Sequence, residues 1–141
     1  VNGRNPIVAH EFLGSSVEGK DVIVIDDMIS SGESVLEVAK DLKDRKAKKV
    51  FIATTFGLFT NGLDKFDEAY EKGLIDRILT TNLTYQTPEL LTKPYYISCD
   101  MSKYISLIID TLNHDASISE LLDPVGRIHR FINKYKEKQN N

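Results

Sequence analysis

The stretch that decides the fold is Val22-Ile23-Val24-Ile25-Asp26-Asp27-Met28-Ile29-Ser30-Ser31-Gly32-Glu33-Ser34. Its four consecutive aliphatic residues predict a strand buried on both faces, because strands of parallel sheets carry continuous apolar runs. Two adjacent carboxylates end this strand, and a turn of serine and glycine leads to a helical sequence that begins at Val35. The order of strand, turn and helix N-terminus is one that can hold a phosphate group.

Two interpretations of this junction follow from its residues. In the first, backbone N–H groups and serine hydroxyls of the turn bind a phosphate. Asp26 and Asp27 then accept hydrogen bonds from sugar hydroxyls, directly or across a metal ion. In the second, Ser30 and Glu33 form a capping box, and the acidic residues only favour the positive end of the helix dipole. The local pattern leaves both interpretations open.

The rest of the chain shows the periodicities of an α/β fold. They predict strands at residues 21–26, 49–55, 77–81 and 95–99, and helices at residues 34–46, 62–72, 103–113 and 125–138. Strands that alternate with helices imply right-handed crossovers and a parallel sheet flanked by helices. Ligands of such sheets bind at the carboxyl ends of the strands, where Asp26 and Asp27 fall. Thr54, Thr55 and Gly57 end the next strand at the same edge.

Composition limits the classes of protein to which the chain can belong. The chain has 141 residues, of which 41% are hydrophobic and 28% charged, and this suits one globular domain with an ordinary core. A net charge of −3 gives no reason to expect a nucleic acid partner. Its single cysteine, Cys99, excludes an internal disulfide and predicts a cytoplasmic protein. No apolar run is long enough to cross a bilayer, so no membrane association is expected.

The histidines and the end of the chain offer weaker candidates. His10 beside Glu11 is more often structural than metal-binding, since metal ligands come in clusters, and no Cys/His cluster or Ser-His-Asp arrangement is recognisable. Residues 123–141 predict a basic amphipathic helix that packs on its own domain or on another subunit, rather than a site for an acidic ligand. The apolar face of that helix comprises Val125, Ile128, Phe131, Ile132 and Tyr135.

The junction also resembles the phosphoribosyl-binding signature of the type I phosphoribosyltransferase family, which has two acidic residues, two apolar ones and a short Thr/Ser/Gly loop. Three flanking segments are similar to ribose-phosphate pyrophosphokinases: NGRNPIVAHE at 2–11, ATTFGLF at 53–59, and IIDTLNH with SISELL at 108–122. The resemblance covers residues 1–122 but only the later part of the family's chain. It therefore divides the sequence into a ribose-phosphate-binding domain, 1–122, and a C-terminal tail, 123–141.

The resemblance implies a three-layer α/β/α fold and a reaction. The family transfers diphosphate from ATP to ribose 5-phosphate with Mg²⁺, forming phosphoribosyl pyrophosphate and AMP. The residues expected to bind ribose 5-phosphate are Asp26, Asp27, Ser30, Ser31, Gly32, Glu33 and Ser34.

The resemblance also implies where the catalytic residues lie. In the family, the residues of the ATP site, the Mg²⁺ site and the catalytic loop precede the segment that this chain matches. We therefore expect the catalytic residues upstream of Val1, and assign none within the chain. The sequence then represents a part of a longer homo-oligomeric enzyme, and this part is expected to be inactive alone.

Three positions depart from the family pattern. Ser30 replaces the usual Asp, Glu33 replaces a small residue that is commonly Gly, and Phe56 replaces His. A Glu33 carboxylate would repel a phosphate unless its side chain turned away. Two alternatives therefore stay open: a phosphoribosyltransferase that makes nucleotides from phosphoribosyl pyrophosphate, and a non-catalytic relative that binds sugar phosphates or partners. The first alternative shares the Asp-Asp loop but not the flank at 5–11.

Overall fold

The computed structural model describes residues 14–122 and 124–139. These residues form two compact units, one that ends at Asp100 and one that begins at Met101. The first unit contains the strands β1 (Asp21–Ile29), β2 (Lys49–Gly57), β3 (Arg77–Thr81) and β4 (Tyr96–Cys99) and the helices α1 (Glu33–Asp44), α2 (Asp64–Glu71) and α3 (Pro88–Thr92). The second contains α4 (Ser102–Asn113), α5 (Ser119–Leu122) and α6 (Val125–Gln139).

The four strands form one sheet in the order β1-β2-β3-β4, and every neighbouring pair is parallel. Each crossover moves one position along the sheet in the same direction. Because parallel crossovers are right-handed, the three connecting helices lie on one face. The expected α/β class, with a parallel sheet flanked by helices, is confirmed.

The core lies between the sheet and these helices. Val50, Ile52 and Ile78 project from the strands and are fully buried. The helices meet them with apolar residues, which are Val35, Ala39 and Leu42 of α1 and Leu63, Phe66 and Ala69 in and just before α2. Gly73 follows α2 with a φ of 68°, as expected of a glycine that ends a helix.

The opposite face of the sheet is open in residues 14–100. Ile23 and Ile25 of β1 are 63% and 82% exposed, and Ile97 of β4 is 42% exposed. The prediction that β1 is buried on both faces is therefore wrong for this part of the chain. The physical reason is that the one-directional crossovers within residues 14–100 supply a single helical layer. The second layer of the expected three-layer arrangement does not come from residues 14–100.

Two strands run further than the sequence predicted. Strand β1 continues through the two carboxylates to Ile29, and β2 continues to Gly57. The segment before β4 contains the short helix α3, which the sequence did not predict. Pro88 begins this helix, and the Thr87 hydroxyl accepts the Leu90 N–H at 3.2 Å. Five residues are too few to show a helical period.

The second unit carries the predicted amphipathic helix, α6. Its five apolar side chains are between 44% and 75% exposed, so the surface on which they pack stays a prediction. Near its start, Arg127 donates to the Leu121 carbonyl at 2.7 Å and lies over the Tyr104 ring, 5.3 Å from its centroid. The division of the chain at residues 122 and 123 also stays a prediction. No helix within the described ranges is long and apolar enough to cross a membrane.

Candidate functional site

The predicted phosphate turn lies at the carboxyl end of β1. Strand β1 ends at Ile29, and Gly32 is the N-cap of α1 with a φ of 86°. This left-handed conformation favours glycine. Packing requires glycine as well, because a Cβ on Gly32 would lie 2.2 Å from Cζ of Phe66. Two independent constraints therefore select glycine at this position.

The capping-box interpretation is wrong. The N-cap is Gly32 rather than Ser30 and has no side chain to cap α1, while the Ser31 hydroxyl accepts the Glu33 N–H at 3.5 Å. Ser30 lies two positions too early, because the helix begins only at Glu33. The first helical bond runs from the Leu36 N–H to the Gly32 carbonyl at 3.0 Å. The N–H groups of Ser34 and Val35 therefore have no acceptor within the helix, and such groups suit an anion.

The paired carboxylates, Asp26 and Asp27, lie within β1, three and two residues before its end at Ile29. Both side chains are exposed. Oδ1 of Asp26 accepts the Asp27 N–H at 2.8 Å, and Oδ1 of Asp27 accepts the Met28 N–H at 2.8 Å. These local bonds orient the carboxylates at the carboxyl end of the sheet. The predicted sugar-binding residues thus lie four and three residues before Ser30, where the turn begins, and their binding role stays a prediction.

The end of β2 supports the acidic pair. Thr54 lies opposite Asp26 in the strand register and is buried, and its hydroxyl donates to the Phe56 carbonyl at 3.1 Å. The Thr55 carbonyl accepts the Thr81 hydroxyl at 2.6 Å. Thr54 and Thr55 thus fix the strand beside the acidic pair.

The connection from β2 to α2 is hydrogen-bonded to the turn, a contact that the sequence did not reveal. The N–H groups of Leu58 and Thr60 donate to the carbonyls of Ile29 and Ser30 at 2.8 and 3.0 Å. Further along, Lys65 Nζ lies 2.8 Å from Oε1 of Glu33. Lys65 follows Glu33 by 32 residues. No local pattern reports a contact at that separation.

Helix α2 is itself anchored to the far side of the unit. Asp67 accepts bonds from Lys93 Nζ at 2.6 Å and from the Tyr95 hydroxyl at 2.8 Å. Burial raises the pKa of Asp67, but the bonds from Lys93 and Tyr95 outweigh it and bring that pKa below its usual value. Burial and the bond to Asp67 raise the pKa of Tyr95. The bonds of Asp67 to Lys93 and Tyr95 thus fix the position of α2.

Two expectations concern the start of the chain and lie outside the described residues, which begin at Gly14. The first is that the catalytic residues lie upstream of Val1, and the second is that His10 in the flank at 2–11 is structural. Both stay predictions, and no catalytic residue is assigned from the described part of the chain.

The remaining histidines, His114 and His129, belong to the second unit. The Nδ1 atom of His114 is 2.8 Å from the Asp110 carbonyl oxygen near the end of α4, and His129 is exposed on α6. Across residues 14–122 and 124–139, no group of three or more His, Cys, Asp or Glu side chains is placed to hold a metal ion.

The parallel sheet and the helices that connect its strands define an α/β protein. The profile of the phosphoribosyl synthetase-associated domain matches residues 7–123, and the chain belongs to this family.

Several relatives are ribose-phosphate pyrophosphokinases. That of Mycoplasma pneumoniae is 30% identical over 106 residues, which are 74% of this chain and 32% of that protein. That of Mycoplasma genitalium is 42% identical over 67 residues, 47% of this chain and 20% of that protein. Human phosphoribosyl pyrophosphate synthase-associated protein 2 is 30% identical over 110 residues, 78% of this chain and 29% of that protein.

A solved structure supports the fold. The phosphoribosylpyrophosphate synthetase of Mycobacterium smegmatis matches with a TM-score of 0.63 and 22% identity, over 73% of this chain and 33% of that one. This chain spans about a third or less of the length of these curated relatives, with covered shares between 20% and 32%.

Proposed function

We propose that this chain forms the ribose 5-phosphate-binding part of a ribose-phosphate pyrophosphokinase. The complete enzyme transfers diphosphate from ATP to ribose 5-phosphate and releases phosphoribosyl pyrophosphate and AMP. One observation carries the proposal: the turn after β1 begins a helix whose N-cap, Gly32, has no side-chain cap, and two exposed carboxylates precede that turn near the end of β1. The relatives named as pyrophosphokinases supply the reaction.

The chemistry of the turn suits the two ends of a sugar phosphate. Carboxylates accept hydrogen bonds from ribose hydroxyls, which assigns Asp26 and Asp27 to the sugar. A phosphate dianion needs several donors, and the turn offers backbone N–H groups with the hydroxyls of Ser30, Ser31 and Ser34. The missing side chain of Gly32 lets the backbone approach the phosphate closely.

The remaining parts of the reaction belong to the complete enzyme. We propose that it binds ATP and Mg²⁺, assembles into homo-oligomers, works in the cytoplasm and carries its catalytic residues upstream of Val1. Mg²⁺ bound in the complete enzyme would neutralise phosphate charge. In this chain, the residues bind and orient the ribose phosphate that receives the diphosphate.

The test is Asp26→Asn in the complete enzyme, with ribose 5-phosphate binding followed by titration calorimetry. Asparagine keeps the shape of the side chain but loses its charge. A charge-assisted hydrogen bond contributes about 1.5–3 kcal/mol, so we expect the dissociation constant to rise roughly tenfold to a hundredfold. Asp21→Asn is the matched control, because Asp21 is exposed at the other end of β1, about 16 Å away at 3.3 Å per residue.

Equal binding by wild type and Asp26→Asn, with only the melting temperature lowered, would show that Asp26 has a structural role. Ser31→Ala should remove a neutral contact and weaken binding less, by about 0.5–1.5 kcal/mol. Residues 1–141 alone should form no AMP from ATP and ribose 5-phosphate. AMP release by this chain alone would show that the catalytic residues are misassigned.

The same activity assay distinguishes the proposed enzyme from a second candidate function, that of a non-catalytic relative. The substitutions at Ser30 and Glu33 favour it, and one relative is named as a synthase-associated protein. Such a protein would bind ribose 5-phosphate at the turn, yet the complete chain would form no AMP.

A further inference from the structure

We propose that Lys65 is a positioning residue that holds the Glu33 carboxylate away from the phosphate bound at the turn. The inference rests on the proposed function, since it assumes an anion at the N-terminus of α1. It explains how a site can keep a glutamate where the family pattern has a small residue.

The problem that Glu33 poses is electrostatic. Glu33 is the first residue of α1, so its backbone belongs to the turn that would receive the phosphate. A carboxylate at a helix N-terminus is favourable by itself, because it meets the positive end of the helix dipole. Once a phosphate occupies that position, the two negative charges repel each other, and the carboxylate competes for the same donors.

The structure shows where the carboxylate goes instead. Lys65 Nζ lies 2.8 Å from Oε1 of Glu33, and each side chain is 54% exposed. Lys65 is near the start of α2, whereas Glu33 is the first residue of α1. The bond therefore directs Glu33 toward α2 and places a positive charge beside its negative one.

The position of Lys65 is fixed by its neighbours. The next residue, Phe66, is fully buried against Gly32. Asp67 is held by Lys93 and Tyr95 from the other side of the unit. Lys65 is thus carried by backbone anchored at both the phosphate turn and α3–β4. A surface lysine placed in this way loses less freedom on pairing than one on an unanchored helix.

The experiment is a double-mutant cycle in the complete protein, with ribose 5-phosphate as the probe and calorimetry at low salt. The variants are Lys65→Met, Glu33→Gln and the double variant. Lys72→Met is the matched control, because Lys72 pairs with Glu68 on the same helix and is similarly exposed.

We expect Lys65→Met to raise the dissociation constant about two- to fivefold, the range for an exposed charge pair, and Lys72→Met to leave it unchanged. In the Glu33→Gln background, Lys65→Met should cause no further loss. Lys65→Arg should retain wild-type binding, and the effect of Lys65→Met should shrink as salt screens the charges.

Three results would overturn the inference. An unchanged dissociation constant in Lys65→Met would show that the pair does not affect the anion. An equal loss in the Glu33→Gln background would show that Lys65 contacts the phosphate itself. Binding in Glu33→Gln but not in wild type would show that Lys65 fails to neutralise Glu33. If neither the wild type nor any variant bound ribose 5-phosphate, the proposed phosphate site would be wrong as well.

Discussion

Replacing Gly32 by alanine should destabilise the first unit through two separable effects. The φ of 86° is unfavourable for an L-residue with a side chain, at a cost of about 1–2 kcal/mol. The new methyl group would also lie 2.2 Å from Cζ and 2.7 Å from Cε2 of Phe66. Overpacking a core costs about 1–3 kcal/mol. We therefore expect the free energy of unfolding to fall by about 2–5 kcal/mol.

Gly62→Ala separates these two effects. Gly62 has a φ of 78°, but a Cβ there would meet no atom within 4 Å. This variant should carry only the backbone cost of about 1–2 kcal/mol. Urea unfolding followed by circular dichroism gives both values, and their difference measures the contact with the Phe66 ring. Equal losses in the two variants would refute the argument that Phe66 restricts the turn.

A double-mutant cycle with Phe66→Leu tests the same contact from the other side. Leucine has no ring atoms at the Cζ position, so Gly32→Ala should cost less in that background. Contacting residues usually show coupling energies of about 0.5–3 kcal/mol. Simple additivity of the two single losses would also count against the contact. In Gly32→Ala, ribose 5-phosphate binding should weaken, since the turn must move to clear the ring.

Two further substitutions test the supports of the site. Asp67→Asn should lower the free energy of unfolding by about 1–2 kcal/mol near neutral pH. Because the folded pKa of Asp67 lies below its usual 3.8, the carboxylate stabilises above the unfolded pKa and stops doing so as pH falls through the folded one. The difference in the free energy of unfolding between Asp67→Asn and wild type should therefore narrow below about pH 4, and a constant difference would contradict this. Tyr96→Phe should cost about 1–2 kcal/mol in urea unfolding, because the buried Thr80 hydroxyl and the Gln86 amide each lose a partner at 2.6 Å. Tyr85→Phe, at an 81% exposed position, is the control for Tyr96→Phe. Equal losses of unfolding free energy in the two variants would show that the hydrogen bonds of Tyr96 do not stabilise the fold.

The sequence alone was enough for the class of fold and for the family. The aliphatic run of β1 and the helical spacing of Val35, Ala39 and Leu42 are local patterns, and local patterns report local structure. Resemblance then identified the family from the Asp26–Ser34 junction and its flanks. Each of these conclusions depends on residues that are close together in the chain.

Tertiary structure decided the rest, because the deciding contacts join residues far apart in the chain. Only the register and the direction of the crossovers show that Ile23 and Ile25 face away from the helices. The capping box failed because the position of the first helical turn, and not the spacing of Ser30 and Glu33, selects the N-cap. The pair of Glu33 with Lys65 depends on how α2 packs beneath the turn, where Phe66 lies against Gly32. Side chains brought together by packing leave no periodic signal in the sequence, so only the folded chain reveals them.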